Sequence, residues 1–471
     1  NAVVGGRTIS LDNYTDSQIS SDAANEVTNN FFAIAGLDYK DRYILDGMYR
    51  RDESSLFGSN FRTNDYYRVS GAYRISEDFD IPGVQELKVH AAMGTAGQRP
   101  SYAWQYTRRN IGSGIPSTSQ TVGNPELRPS KSTEKEVGLN ADFLDRFSLE
   151  VVYSDMKTED QFMLVDLFAP ANEGANQYQN VGTVTSNTLE LVLDAEIVNT
   201  KDFSWNTGVV FSSTNNTIES LNINPRIQGP GDGQMFRLEE GLEYGTMYGR
   251  DFVRSLDIMA AQLPSGASLS DYVVNSDGVV VDASTIGTKY ESGIIRENED
   301  GSVWVGDIGN QTADFNLGLR NTISYKNFDF YMLWDWKQGG DLYNRNGQWL
   351  TRDNRHEMID QAGKAPGEQK TVSYYQSLYD VNQNNGYWVE DASFVKLREA
   401  SIFYTFDDME KSFINSLRIG LTGTNLFTFT NYSGWDPEVQ LFDGATSQYY
   451  AVDFGVYPVS TSYTLSVTLK F

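Results

Sequence analysis

Ser462-Tyr463-Thr464-Leu465-Ser466-Val467-Thr468-Leu469-Lys470-Phe471 alternates without a break. A β-strand turns successive side chains to opposite faces. Tyr463, Leu465, Val467, Leu469 and Phe471 therefore share one face, backed by the small polar face of Ser462, Thr464, Ser466, Thr468 and Lys470. This is a strand between two different solvents. In an outer-membrane barrel the apolar face meets lipid, the polar face meets a wet lumen, and aromatics gather at the interfaces. An edge strand of a soluble sandwich also accommodates these ten residues, so the rest of the chain has to decide.

Working outward, the same pattern recurs. Phe328, Phe330, Met332, Trp334 and Trp336 fall on one side of a run joined by Lys326-Asn327 to the run from Phe315 to Tyr325. Leu189, Leu191, Leu193, Ala195 and Ile197 alternate with Glu190, Val192, Asp194 and Glu196, turn at 199–202 and return through Phe203, Trp205 and Val209. Val137, Leu139, Ala141 and Phe143 turn at 144–146 into Phe147, Leu149, Val151 and Tyr153. Phe31, Ala33, Ala35, Leu37 and Tyr39 turn at Lys40-Asp41 into Tyr43, Leu45 and Tyr49. About 14 strands are expected, with short turns at one end and long polar loops at the other, the asymmetry of outer-membrane barrels. Two insertions, near 255–311 and 344–386, interrupt the meander and are placed outside the membrane; Asp277-Gly278 and Asp300-Gly301 mark small hairpins in the first.

Composition agrees. Aromatics make up 13% of the 471 residues, yet mean hydropathy is −0.45, as expected of a body that needs an apolar side only on its outer band. No apolar run is long enough for a transmembrane helix. Cysteine is absent, which removes disulfides and thiolate chemistry. The net charge of −26, from 63 acidic against 37 basic side chains, repels nucleic acid and solvates long loops. Neither an initiator Met nor a signal peptide precedes Asn1, so a mature or partial polypeptide is expected.

Motifs for bond chemistry are weak. His356-Glu357-Met358-Ile359-Asp360 begins like a zinc-protease helix but carries Asp360 where the second His belongs, and His90 is the only other histidine. Gly229-Pro230-Gly231-Asp232-Gly233 lacks the strand and Lys of a phosphate loop. Asn298, Glu299, Asp300 and Asp307 lack the spacing of a calcium loop and read as a turn. No enzyme, metal or cofactor is expected. The ligand-binding candidates are the loop aromatics Trp349, Tyr374, Tyr375, Tyr379, Tyr387 and Trp388, whose flat amphipathic rings suit sugar rings or peptide side chains at the mouth. The same rings would equally serve to pack the loop or to meet a lid partner.

Taken together, the residues resemble the C-terminal part of a SusC/RagA-type TonB-dependent outer-membrane transporter. The resemblance is carried by Ala35 to Leu45 with Arg51 to Gly58, by Leu87-Lys88-Val89 with Gly94-Thr95-Ala96-Gly97, and by Gly123-Asn124-Pro125-Glu126-Leu127-Arg128-Pro129 with Ser132-Thr133-Glu134. It continues through Asn180-Val181-Gly182, Leu189-Glu190-Leu191, Trp388 to Arg398, Thr424-Asn425-Leu426-Phe427, Asp436-Pro437-Glu438-Val439 and Tyr457-Pro458. It implies an all-β, antiparallel transmembrane barrel of about 22 strands, plugged by an N-terminal domain that has no counterpart in residues 1–471. It also implies import of oligosaccharides or peptides, a SusD-like surface lipoprotein that closes over the mouth, and the TonB complex acting through the plug. By the same resemblance Trp435, Asp436 and Glu438 shape an extracellular loop. A docking barrel in an envelope assembly, without transport, is the alternative; a soluble secreted carbohydrate-binding or hydrolytic β-protein is a third class.

Overall fold

The computed structural model describes residues 25–58, 61–107, 111–112, 115–116, 121–167, 176–231, 234–366, 368–379, 385–406, 414–444 and 448–471. Among the described residues thirteen long strands form one sheet in which each pairs antiparallel with the next in sequence. They are β1 Thr28–Tyr39, β2 Tyr43–Ser54, β3 Thr63–Arg74, β4 Val84–Gln98, β5 Ser130–Phe143, β6 Phe147–Glu159, β7 Thr183–Asn199, β8 Phe203–Ser220, β9 Phe315–Tyr325, β10 Phe328–Gln338, β11 Phe394–Phe406, β12 Ser416–Thr430 and β13 Ser462–Lys470. The sheet holds 13 strands where alternation led to about 14, because the runs in the insertions pair among themselves in small separate sheets.

Connections segregate by end. At one end lie 40–42, 75–83, 144–146, 200–202, 326–327 and 407–415; at the other lie 55–62, 99–129, 160–182, 221–314, 339–393 and 431–461. The tightest turns use residues other than glycine with φ near +55°, at Lys40 and Asp41, Leu144 and Asp145, and Lys326. Positive φ at successive turn residues matches the right-handed twist of the flanking strands. At Lys40-Asp41, Asp38 adds a side-chain acceptor for the Asp41 N–H, at 2.9 Å.

Register carries the apolar face from strand to strand. Starting at Tyr39, paired neighbours run through Tyr43, Tyr73, Val89, Leu139, Val151, Leu191, Phe211, Leu317, Trp336, Val395 and Phe429. All twelve are apolar or aromatic. The row begins at the turn end of β1 and finishes at the loop end of β12, so the strands are tilted, as closure of a cylinder requires. Much of this face is open, with Leu465 at 72% and Leu421 at 51% exposure. An apolar surface of this extent is stable only against lipid. Rings crowd its turn end: Tyr43 stacks on Tyr73 at 5.0 Å, Phe143 on Phe147 at 5.2 Å, and Phe328 meets Tyr404 edge-on at 4.6 Å. No described helix is long and apolar enough to cross a membrane; the strands cross it.

The opposite face is wet. Hydroxyl pairs bridge neighbouring strands at Ser132–Thr158, Thr188–Thr214 and Ser401–Thr422, each about 3 Å apart, and Arg320–Asp194 and Arg418–Asp329 pair at 2.6 and 2.9 Å. The two faces predict opposite tolerance to charge. Leu191→Arg, in the middle of the apolar row, is expected to cost about 2–4 kcal/mol, and Thr188→Arg on the lumen face much less; reversible urea unfolding in phospholipid vesicles measures both.

Candidate functional site

Loops 221–314, 339–393 and 431–461 interlock above the sheet in one body, and the well-buried apolar clusters of the structure lie here rather than in the wall. Local signals start its elements. Ser255 caps α1, Leu256–Ala261, by accepting from the Ile258 N–H at 3.3 Å, and Asn344 caps α2, Arg345–Arg352, through the Gly347 N–H at 2.7 Å. A third helix, α3, spans Val372–Tyr379. The two Asp-Gly turns form hairpins as the sequence predicts, one pairing Tyr272–Val274 with Val280–Asp282, the other closed by a Glu297–Val303 bridge.

One cluster joins all three loops: Phe236, Met247, Tyr343, Trp388, Tyr432, Tyr450 and Val452 meet there, with Phe236 and Tyr450 at 4.6 Å. A second joins the first insertion to the second, packing Phe252, Val279 and Val281 against Tyr374, Tyr375 and Leu378. The sequence candidates fall into two groups. Tyr374 and Tyr375, each 1% exposed, and Trp388 are interior. Tyr374 donates to Asp277 at 2.8 Å, Trp388 donates to the Leu378 carbonyl at 2.8 Å, and Tyr375 accepts from Gln361 at 3.0 Å. Burial, with Asp277 beside it, pushes the Tyr374 hydroxyl far above its ordinary value, so it stays a donor. Tyr387 is half-buried between Phe252 and Trp388, under the Arg254 guanidinium.

Trp349 and Tyr379 lie at the margin of that core and both meet the Arg352 guanidinium, with buried Arg345 also 5.2 Å from the Trp349 ring centre. The Arg352 guanidinium lies 3.9 Å from the Trp349 ring centre and 5.8 Å from that of Tyr379, and Phe454 meets Trp349 edge-on at 4.7 Å. Both rings are partly accessible. An aromatic pair bridged by a guanidinium offers a flat face together with hydrogen-bond donors, which suits a polyhydroxyl ring or a peptide group. His356 stands before a short helical turn and accepts from the Met358 N–H, while Asp300 accepts from Ser302. Asp307 accepts from the Gly309 N–H. Gly229-Pro230-Gly231 is a loop, and 232–233 lie outside the described residues.

Two features escaped the sequence reading. Phe442 and Tyr449, at 4.9 Å, form an exposed ring pair on the small hairpin Leu441–Asp443/Gln448–Tyr450. The other is an ionic network at the junction of wall and loops. Where β11 passes Leu333 and Trp334 of β10, a β-bulge leaves Arg398 as the extra residue; its guanidinium reaches Asp335 and Glu438, both at 2.6 Å, while buried Lys396 reaches Asp436 at 2.7 Å. The signal available was the pairing of Lys396-Leu397-Arg398 with Asp436-Pro437-Glu438, two cations and two acids at matching spacing.

A tilted antiparallel wall with a lipid face, a wet face and one heavily looped rim defines a transporter-type outer-membrane barrel. A family model described as TonB dependent receptor-like, beta-barrel matches residues 4–289, and the chain belongs to that family of the outer membrane. TonB-dependent receptor P26 of Formosa agariphila is 25% identical over 506 aligned positions, covering 100% of this chain and 49% of the relative. TonB-dependent receptor SusC of Bacteroides thetaiotaomicron is 24% identical over 499 positions, covering 98% and 46%. The RagAB peptide transporter structure superposes with a TM-score of 0.70 at 22% identity, over 95% of this chain and 48% of that one, a likeness of fold. The chain thus spans about half the length of the relatives it matches.

Two outcomes are expected of the loop body. Lys370 pairs with Asp277 at 2.6 Å and with the fully enclosed Glu291 at 3.1 Å. Lys370→Met strands Glu291 and is expected to destabilise the module by about 3–5 kcal/mol, seen as faster hydrogen exchange in 272–282 and 372–379. Burial alone would raise the Glu438 carboxyl, but hydrogen bonds from Arg398 and Lys396 outweigh it and hold the group below the usual carboxylate range. Its contribution is therefore complete above the ordinary glutamate value and disappears as pH falls through the lower folded value. Proteolysis of 431–461 should rise in that acid window, and Glu438→Gln should flatten the profile.

Proposed function

We propose that these residues form the C-terminal wall and mouth of a TonB-dependent importer of oligosaccharides or peptides. The observation that carries the reading is the one-sided rim: every long connection leaves the same end of the sheet, and three of them build an ordered body there. Loops with their own core hold a rigid recognition surface over a polar lumen. Family membership supplies the transport class. RagAB, a neighbour in fold, is a peptide importer, which supports peptides; the resemblance of the sequence to SusC/RagA-type transporters keeps oligosaccharides in view.

In this reading the described sheet is one sector of a cylinder of about 22 strands. Its edges, β1 and β13, both run from the loop end toward the turn end. An odd number of intervening strands joins such edges antiparallel, and 22 less the 13 described leaves about nine. A SusD-like lipoprotein would close over the interlocked loops, and TonB would act through a plug belonging to the rest of the barrel. Substrate contacts at the rim fall on Trp349, Tyr379 and Arg352, with Tyr387 at the margin; Tyr374, Tyr375 and Trp388 hold that surface in place from below.

The test is uptake of labelled peptide and labelled oligosaccharide pools by cells with and without the gene, repeated with a protonophore. Import of one pool that needs both the gene and the proton gradient is expected; equal uptake in all conditions would leave only a docking role. Within that assay Trp349→Ala with Tyr379→Ala should weaken substrate affinity by roughly 5- to 150-fold, as loss of two ring contacts of about 0.5–1.5 kcal/mol each predicts. The level of folded protein should not change.

A further inference from the structure

Where β1, β2 and β3 meet their loops, the wet face holds a polar cavity of about 280 Å³. Register builds it. Asn30 pairs with Asp52 and Arg50 with Tyr66, and these even-numbered side chains share the face opposite Phe31, Tyr49 and Tyr67. Gly97 and Arg99, at the loop end of β4, complete the part of the lining that matters here. The neighbouring loop is clamped in place. The Ser55 N–H donates to the Val27 carbonyl and the Gly58 N–H to the Leu127 carbonyl, each at 2.9 Å, while Gln105 donates to the Ser55 carbonyl at 3.3 Å. The cavity is therefore formed in advance, and little ordering opposes the entry of a ligand.

Its polar groups wait for an acceptor. Tyr66 is 2% exposed, yet its hydroxyl has no hydrogen-bond partner among the described residues. A hydroxyl buried to this degree is costly to leave unpaired. It stands against Gly97, where a Cβ would overlap it, so the glycine gives the hydroxyl its place on the cavity wall. The exposed Arg99 guanidinium has neither an ion pair nor a hydrogen bond among the described residues. Arg50 lies 5.1 Å from the Tyr66 ring centre and turns its Nε to Asp52 Oδ1 at 3.0 Å. Those two atoms are enclosed and make no hydrogen bond, and the other nitrogens of the fork have no partner among the described residues.

Donors thus outnumber acceptors. Of the two acids in the lining, Asp52 already faces Arg50, and Glu53 belongs to the alternate face of β2. Two guanidinia and a hydroxyl around one cavity match a carboxylate, whose two oxygens accept from a planar fork and from a neighbouring O–H together. At about 280 Å³ the space is smaller than the roughly 300–1,000 Å³ of sites for drug-sized ligands. It takes one residue or one sugar ring rather than a whole oligomer.

We propose that this cavity is a subsite for a carboxylate carried by the solute, held by Arg99, Arg50 and the Tyr66 hydroxyl. The carboxylate comes from an acidic side chain of a peptide or from a uronic acid of an oligosaccharide. Only these two sources rest on the importer reading; the binding itself does not. Ligand-detected NMR on the detergent-solubilised full-length protein measures it without uptake, so failure here leaves the importer reading standing. The probes are acetyl-Ala-Glu-amide against acetyl-Ala-Gln-amide, and glucuronate against glucose.

At least one carboxylate probe should bind about 5- to 20-fold more tightly than its neutral partner, the strength of a charge-assisted contact beside water. Arg99→Gln and Tyr66→Phe should each remove most of that preference, whereas Arg62→Gln, at an exposed cation outside the lining, should keep it. Preference for the peptide or for the uronate alone identifies the source, and preference for both shows that the carboxylate by itself is recognised. No binding, equal binding within both pairs, or a preference unmoved by Arg99→Gln and Tyr66→Phe would overturn the proposal and leave water or another segment of the protein in the cavity. Heat-dependent gel migration verifies folding. Arg50→Lys, which keeps the charge and loses the fork, replaces either variant that misfolds and should likewise lose the preference.

Discussion

Inside hydrocarbon no water is available to a backbone N–H or C=O, so each must find its partner in the protein. For this chain that requirement is met by lateral pairing, and the rest of the architecture follows from it. Once thirteen strands are committed to continuous ladders, the period of two decides that one side of every strand is lipid-facing and the other wet. The twelve-residue row from Tyr39 to Phe429 shows how strictly this holds, since a slip of one residue at any pairing would turn Leu, Val and Phe into the lumen. The bulges near Leu333 and Leu397 are local departures, and they lie beside the ionic network that reaches the loops.

A wall that spends its apolar residues on lipid keeps few for a core. The compact interior is accordingly displaced into the loops, where Tyr343, Trp388, Tyr432 and Tyr450 pack much as they would in a small soluble domain. Lys396 and Arg398 connect the two regimes by reaching from β11 to Asp436 and Glu438. Buried ion pairs are poor sources of net stability because desolvation offsets much of their attraction. Their directional hydrogen bonds do specify one seating of the last loop on the wall.

The fold was legible because its signal is local and repeated. Phe328 to Trp336 announces its outward face in nine residues, and Lys326-Asn327 announces the turn before it; no distant contact is needed to read either. The loop body was not legible in the same way. Tyr374 is interior because Asn275 and Asp277, about a hundred residues earlier, come to its hydroxyl, and Tyr387 is covered by Phe252 and Arg254. Nothing in the polar stretch around these tyrosines separates a ring that packs from a ring that waits for a ligand. Trp349 and Tyr379 carry the same residue types and stay partly open, with Arg345, Arg352 and Phe454 against the Trp349 ring. Helices α2 and α3 were missed for a related reason: each is eight residues long and held by tertiary packing.

The tilt of the hydrogen-bonded rows carries a mechanical consequence. In a sheet whose register climbs steadily, widening the bore means adding a strand or breaking a whole ladder at once, and neither happens by small steps. The described wall is therefore a housing of fixed curvature. In the importer proposed above, solute would pass by rearrangement of what lies within the bore and above it, while the wall stays as folded.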